Sequence, residues 1–124
     1  MTPEQASRRD LERLLRFARN EGVLVPADGE DHPLRLGEQD GRGYYACFES
    51  AELGRTSTAL EPASYTWGRI SGLKLLEFLA QRAAAGGSPV LILNPGTALQ
   101  VGLDEAAIRG FLTWLARHPE GIET

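Results

Sequence analysis

A chain of 124 residues, 42% hydrophobic and 24% charged, has the make-up of one ordinary globular domain that can bury a core without staples. Its net charge of −4 argues against a dedicated nucleic-acid binder, and no apolar run approaches the roughly 20 residues of a membrane span. Cys47 is the only cysteine, which excludes an internal disulfide and a cysteine-built zinc site and points to a reducing, cytoplasmic setting.

The opening stretch, Met1 to Asp10, is polar and charged, unlike a secretory signal. A first helix is predicted from Pro3 to Asn20, with Thr2 as its cap and Pro3 in its first turn. Leu11, Leu14, Leu15 and Ala18 supply its buried stripe. Arg9, Arg13 and Arg16 fall on the opposite face. They read either as an anion-binding surface or as a solvated face, and the nearby Asp10 and Glu12 favour the second. Val23 to Pro26 is a short strand, followed by an acidic loop from Ala27 to Pro33 that lacks the oxygen spacing of a calcium loop.

Leu34-Arg35-Leu36 and Tyr44 to Phe48 alternate around Asp40-Gly41, the favoured pair for a tight hairpin. Ser50 to Leu53 reads as a short capped turn of helix. A strand is expected from Ser64 to Ile70, and a helix from Gly72 to Ala84 with Ser71 as its N-cap. Leu75, Leu76, Leu79 and Ala83 form that helix's core face, and Gly86-Gly87 stops it. Pro89 to Leu93 is the most apolar run and predicts a central strand covered on both faces. Leu99, Val101 and Leu103 alternate as a half-exposed strand would. Asp104 then caps a last helix with Ile108, Phe111, Leu112 and Leu115 inward, and Arg117 and His118 at its negative end. The order is neither a βαβ alternation nor all-β. It implies an α/β domain of the α+β kind, a mixed, largely antiparallel sheet with about three helices packed on it.

The search for chemistry is mostly negative. His32 and His118 have no ligand-spaced neighbours, so neither a metal nor a cofactor is expected. Cys47 lies in an apolar aromatic strand, the setting of a structural rather than an activated thiol. No serine occupies a Gly-x-Ser-x-Gly elbow. Glu49, Glu52 and Glu77 could meet in space, but nothing in their spacing brings them together. Asn94-Pro95-Gly96 follows the most apolar strand, where a phosphate loop would sit. It lacks the lysine motif and instead fits a type II turn. Tyr65, Trp67 and Arg69 share one strand face. They form either a binding patch or core cover with a snorkelling arginine.

Several segments occur in a familiar order: Val23-Leu24-Val25-Pro26, Phe48-Glu49-Ser50, Ile70-Ser71-Gly72-Leu73-Lys74-Leu75-Leu76, and Val90-Leu91-Ile92-Leu93-Asn94-Pro95-Gly96 leading to Leu103-Asp104. From about Leu24 to Leu115 the chain resembles the N-terminal domain of the SseB family, the bacterial "enhanced serine sensitivity" proteins. Residues 1–22 would then be an added N-terminal helix on a single domain of that type. Glu49 stands where that family usually has Thr, and 124 residues leave no room for the second domain some members carry. The resemblance implies a bacterial, cytoplasmic domain with no catalytic residues to transfer. The expected function is a non-catalytic module that binds another protein or a second copy of itself. The alternative is a sensor for an amino acid or related anion. Tyr65, Trp67, Arg69, Asn94, Pro95 and Gly96 are the candidate binding surface.

Overall fold

A computed structural model of the chain describes residues 8–27, 33, 35–39, 41–60 and 64–118. The elements run α1 (Arg8–Arg19), β1 (Val23–Ala27), β2 (Gly37–Gln39), β3 (Arg42–Cys47), α2 (Ala51–Thr56), β4 (Thr66–Ile70), α3 (Gly72–Ala84), β5 (Pro89–Leu93), β6 (Val101–Leu103) and α4 (Glu105–Arg117). The described residues form an α+β fold of four helices and two sheets, mostly antiparallel. The larger sheet has the order β2-β3-β5-β6 and the smaller is the pair β1-β4. An antiparallel bridge between Leu24 and Phe48 joins them, with both backbone N–H groups donating, at 2.9 and 2.8 Å.

Local chemistry accounts for most element ends. Ser50, Ser71 and Asp104 cap α2, α3 and α4, their side-chain oxygens accepting from the N–H groups of Leu53, Lys74 and Ala107. The β2–β3 register pairs Gln39 with Arg42, and Gly41 takes a φ of +77° that side chains resist. The strand that pairs is Gly37–Gln39, because a two-residue turn closes its ladder on the residues that flank it; Leu34 of the expected segment lies outside the described residues. Leu36 still donates to the Tyr44 carbonyl at 2.8 Å.

β3 and β5 are the only parallel pair among the described strands, and they sit at the centre of the larger sheet. One face of that sheet carries Tyr45, Cys47, Leu91, Leu93 and Leu103, all buried. α3 lies on β5 and touches α1 and α4 on either side, so the three helices form one layer over this face. Fully burying a leucine or phenylalanine contributes about 1.5–3 kcal/mol. Phe17, Leu75, Leu76, Leu79, Leu91, Leu93, Ile108 and Phe111 all lie in this core. Phe17 widens the buried stripe of α1 beyond the expected Leu14, Leu15 and Ala18, while the expected Leu11 is only partly buried.

Two expectations are corrected. β5 is covered on one face only: Pro89, Leu91 and Leu93 are buried, while Val90 and Ile92 are half-buried because the helix layer lies on the other side. Leu99 belongs to a turn, not to the strand, and is 50% exposed; β6 begins at Val101.

Two helices approach closely at Gly72. Its N–H donates to the Asn20 carbonyl at 2.8 Å, and a Cβ placed there would lie 2.0 Å from the Phe17 carbonyl oxygen. Only glycine lets the start of α3 rest against the end of α1. No described helix is long and apolar enough to cross a membrane.

Candidate functional site

The Asn94-Pro95-Gly96 segment forms the expected turn. Thr97 N–H donates to the Asn94 carbonyl at 3.2 Å, and Gly96 has the positive φ of +72° that a type II turn needs at its third position. Asn94 itself has a φ of +52°, a region asparagine tolerates better than most residues. Its side chain is fully buried and fully used. Oδ1 accepts from Glu49 N–H at 2.9 Å, and Nδ2 donates to Glu49 Oε1 at 2.7 Å and to the Leu99 carbonyl at 3.4 Å. Asn94 N–H reaches the Cys47 carbonyl at 2.8 Å. These bonds tie the end of β5 to the end of β3. Pro95 is buried as well. Its carbonyl accepts from Ser57 Oγ, and the Gly96 carbonyl accepts from Thr58 N–H.

Glu49 is the hub of this end of the sheet. Besides the Asn94 bonds, its carboxylate pairs with Arg13 at 3.5 Å, and its carbonyl accepts from Asn20 Nδ2 at 3.0 Å. Arg13 also donates to the Leu99 carbonyl. The expectation that Arg13 lies on a solvated face is therefore corrected. Arg13 sits one turn before buried Phe17, so it flanks the core stripe and leans onto Glu49. Arg16 remains exposed, and the side chain of Arg9 lies outside the described residues. Glu52 on α2 and Glu77 on α3 are exposed. Among the described residues no three His, Cys, Asp or Glu side chains are placed to hold a metal ion.

Cys47 is fully buried on β3. Burial pushes its thiol far above the ordinary thiol range, and the Glu49 charge adds to the rise. That is the opposite of nucleophile activation. His118 caps α4, its ring stacked on Trp114 at 4.5 Å and its Nδ1 2.9 Å from the Trp114 carbonyl oxygen. His32 and the acidic loop at positions 28–32 lie outside the described residues.

Tyr65, Trp67 and Arg69 cluster elsewhere. β4 pairs with β1 in antiparallel register, Leu24 opposite Arg69 and Pro26 opposite Trp67. The Trp67 ring packs on buried Phe48 at 5.7 Å and meets Tyr65 edge-on at 6.1 Å. It is half-buried: one side covers the core and the other lines an open groove of about 310 Å³. The groove's other walls are Leu24, Phe48, Ala51, Gly54, Arg55 and Arg69. Arg69 is exposed, and its guanidinium reaches the Gly22 carbonyl at 3.4 Å. Core cover and open surface thus coexist in one tryptophan. Leu24 and Phe48 meet there through the bridge between sheets, and no local sequence pattern announces such a bridge.

The six expected residues therefore divide. Trp67 and Arg69, with Tyr65 beside them, line or border a groove. Asn94 and Pro95 are buried in a brace, and half-buried Gly96 completes its turn. Comparison of the chain with protein-family models, with curated proteins and with solved structures finds no match in any of the three.

Proposed function

We propose that this chain is a non-catalytic protein-interaction module of the SseB-like kind its sequence resembles, and that it docks an apolar segment with acidic flanks in the groove beside Trp67. The observation that supports this most is the combination in that groove. Leu24, Phe48 and Trp67 provide apolar walls, and Arg55 and Arg69 flank them. Tryptophan and arginine are the residue types that most often anchor interfaces. Two flanking arginines select acidic over basic partners.

The test uses two labelled extended peptides with the same Leu/Phe centre, one flanked by Glu and one by Lys, titrated by fluorescence anisotropy. The Glu-flanked peptide should bind at least about tenfold more tightly, a difference of about 1.4 kcal/mol. Trp67→Ala should remove that binding. Failure of both peptides to bind, or binding unmoved by Trp67→Ala, would sink the proposal. Light scattering on the free chain separates partner capture from self-association.

A further inference from the structure

A second concave surface lies beside the C-terminal ends of β3 and β5 and shares no lining residue with the Trp67 groove. It is an open cleft of about 1030 Å³ between α1, the β3–α2 junction and the turn at Leu99. α1 lends it Arg13, Arg16 and Arg19, spaced three residues apart so that they form a ladder along the helix. Glu12 of α1, Asn20, Glu49 and Ser50 also line it, and the far wall contains Leu53 and Leu99.

The three arginines are not equivalent. Arg13 is neutralised by Glu49 at 3.5 Å and anchored on the Leu99 carbonyl. Arg16 and Arg19 are exposed and form no ion pair with any described residue. Like charges three apart on a helix repel. The negative end of α1 favours cations in its last turn, but equally so whichever way they point. That effect does not explain why both face a cleft. The imbalance is local: three arginines line the cleft against Glu12 and Glu49, and with Arg13 paired to Glu49 a net positive charge remains at Arg16 and Arg19, in a chain whose net charge is −4. The overall negative charge disfavours a long polyanion such as nucleic acid and leaves a small anion as the fitting occupant. Leu99, 50% exposed, and half-buried Leu53 give the far wall an apolar surface that a bare inorganic ion would not use.

We infer that this cleft binds a small organic anion, its phosphate or carboxylate head on Arg16 and Arg19 and its apolar part against Leu53 and Leu99. The site is separate from the Trp67 groove and does not depend on the function proposed for it. Arginine's planar fork suits either head group, so the experiment distinguishes the two.

The test is a thermal-shift and calorimetric titration of the full chain with phenyl phosphate, phenylacetate and inorganic phosphate, each against sodium chloride at matched ionic strength. At least one of the two organic anions should raise Tm by several degrees at millimolar concentration. It should also bind about tenfold more tightly than inorganic phosphate; whichever of the pair is tighter identifies the head group. The Arg16→Ala/Arg19→Ala double variant alters exposed positions only. It should keep the melting temperature measured in chloride and lose at least tenfold in affinity, whereas Trp67→Ala should leave the affinity unchanged. A shift equal to that of chloride, equal affinity in the double variant, or inorganic phosphate binding as tightly as the organic anions would overturn the inference.

Discussion

The Asn94-Pro95-Gly96 turn and the Tyr65–Arg69 segment are both rich in side chains suited to recognition, and the fold uses them in opposite ways. At the turn every side-chain polar atom of Asn94 is consumed by Glu49 and Leu99, and buried Pro95 is held by Ser57. At β4 the largest side chain, Trp67, touches the core with one side only and leaves a groove open on the other. The difference follows from neighbours. The turn ends a central strand with α1 close by, through Arg13 and Glu49. β4 belongs to a sheet that has two strands among the described residues. Buried polar groups hold a fold together only when fully satisfied. Half-covered aromatics cost little stability and remain available to partners. Substitutions on the closed side should therefore lower stability, and those on the open side should alter binding.

The largest effect is expected at Gly72. Its alanine variant would drive a methyl group into the backbone of α1, where no side chain can rotate away. Overpacking usually costs about 1–3 kcal/mol, and a backbone clash belongs at or above the top of that range. Urea denaturation should show a midpoint loss of that size or failure to fold; a loss below about 1 kcal/mol would mean that the α1–α3 contact adapts.

Asn94→Ala comes next. It leaves the part-buried Glu49 N–H without its acceptor, at up to about 1–3 kcal/mol, and takes the amide donor from a Glu49 carboxylate that keeps Arg13. It also places alanine at a φ of +52°. Asn94→Gly creates the same orphans without that conformational penalty. Glycine should thus be less damaging than alanine by about 1 kcal/mol, the cost of a left-handed side-chain residue. If the two variants are equally stable, backbone conformation contributes nothing at this turn, and the brace consists of hydrogen bonds alone.

Much of the closed side was legible in the sequence, and the reason is local. The serine and aspartate caps, the hairpin glycine, the leucine face of α3 and the type II turn each depend on residues within a few positions of one another. The Arg13–Glu49–Asn94 brace depends on positions 36 and 45 residues apart, and helical spacing alone assigned Arg13 to the solvent side. Phe17 was the available signal, because a fifth apolar residue in α1 broadens the buried face toward Arg13. On the open side, Trp67 and Arg69 were identifiable by residue type. Their groove was not, since Leu24, Phe48 and Arg55 come from three other segments. The split into two sheets was equally hidden, because β1 finds its partner some 40 residues downstream.

Cys47 gives the closed side a pH signature. Burial raises the folded-state thiol well above the ordinary value near 8.5, so the folded chain holds its proton where the unfolded chain releases it. A raised folded value means that the stability is intact below about pH 8.5 and declines as pH rises beyond it, by up to about 1.4 kcal/mol per pH unit. Denaturation midpoints at pH 7, 8.5 and 9.5 should fall along that slope in the parent chain and less steeply in Cys47→Ala. Parallel slopes would mean that the thiol is not protected.

The smallest change in stability, and the sharpest test of the contrast, is expected at Arg69. Its side chain is exposed, and its one recorded bond, to the Gly22 carbonyl at 3.4 Å, is long. Arg69→Glu should therefore shift stability by no more than about 0.5 kcal/mol, the usual range for a surface substitution. The same change reverses one of the two charges flanking the groove. Repulsion of an acidic segment should then weaken its binding about tenfold, while the Lys-flanked peptide gains. Stability and binding would separate at this position, whereas at Asn94 the first effect is on stability. If Arg69→Glu destabilised the chain as much as Asn94→Ala, the guanidinium would be part of the fold's own bracing, and β4 would belong with the closed side of the molecule.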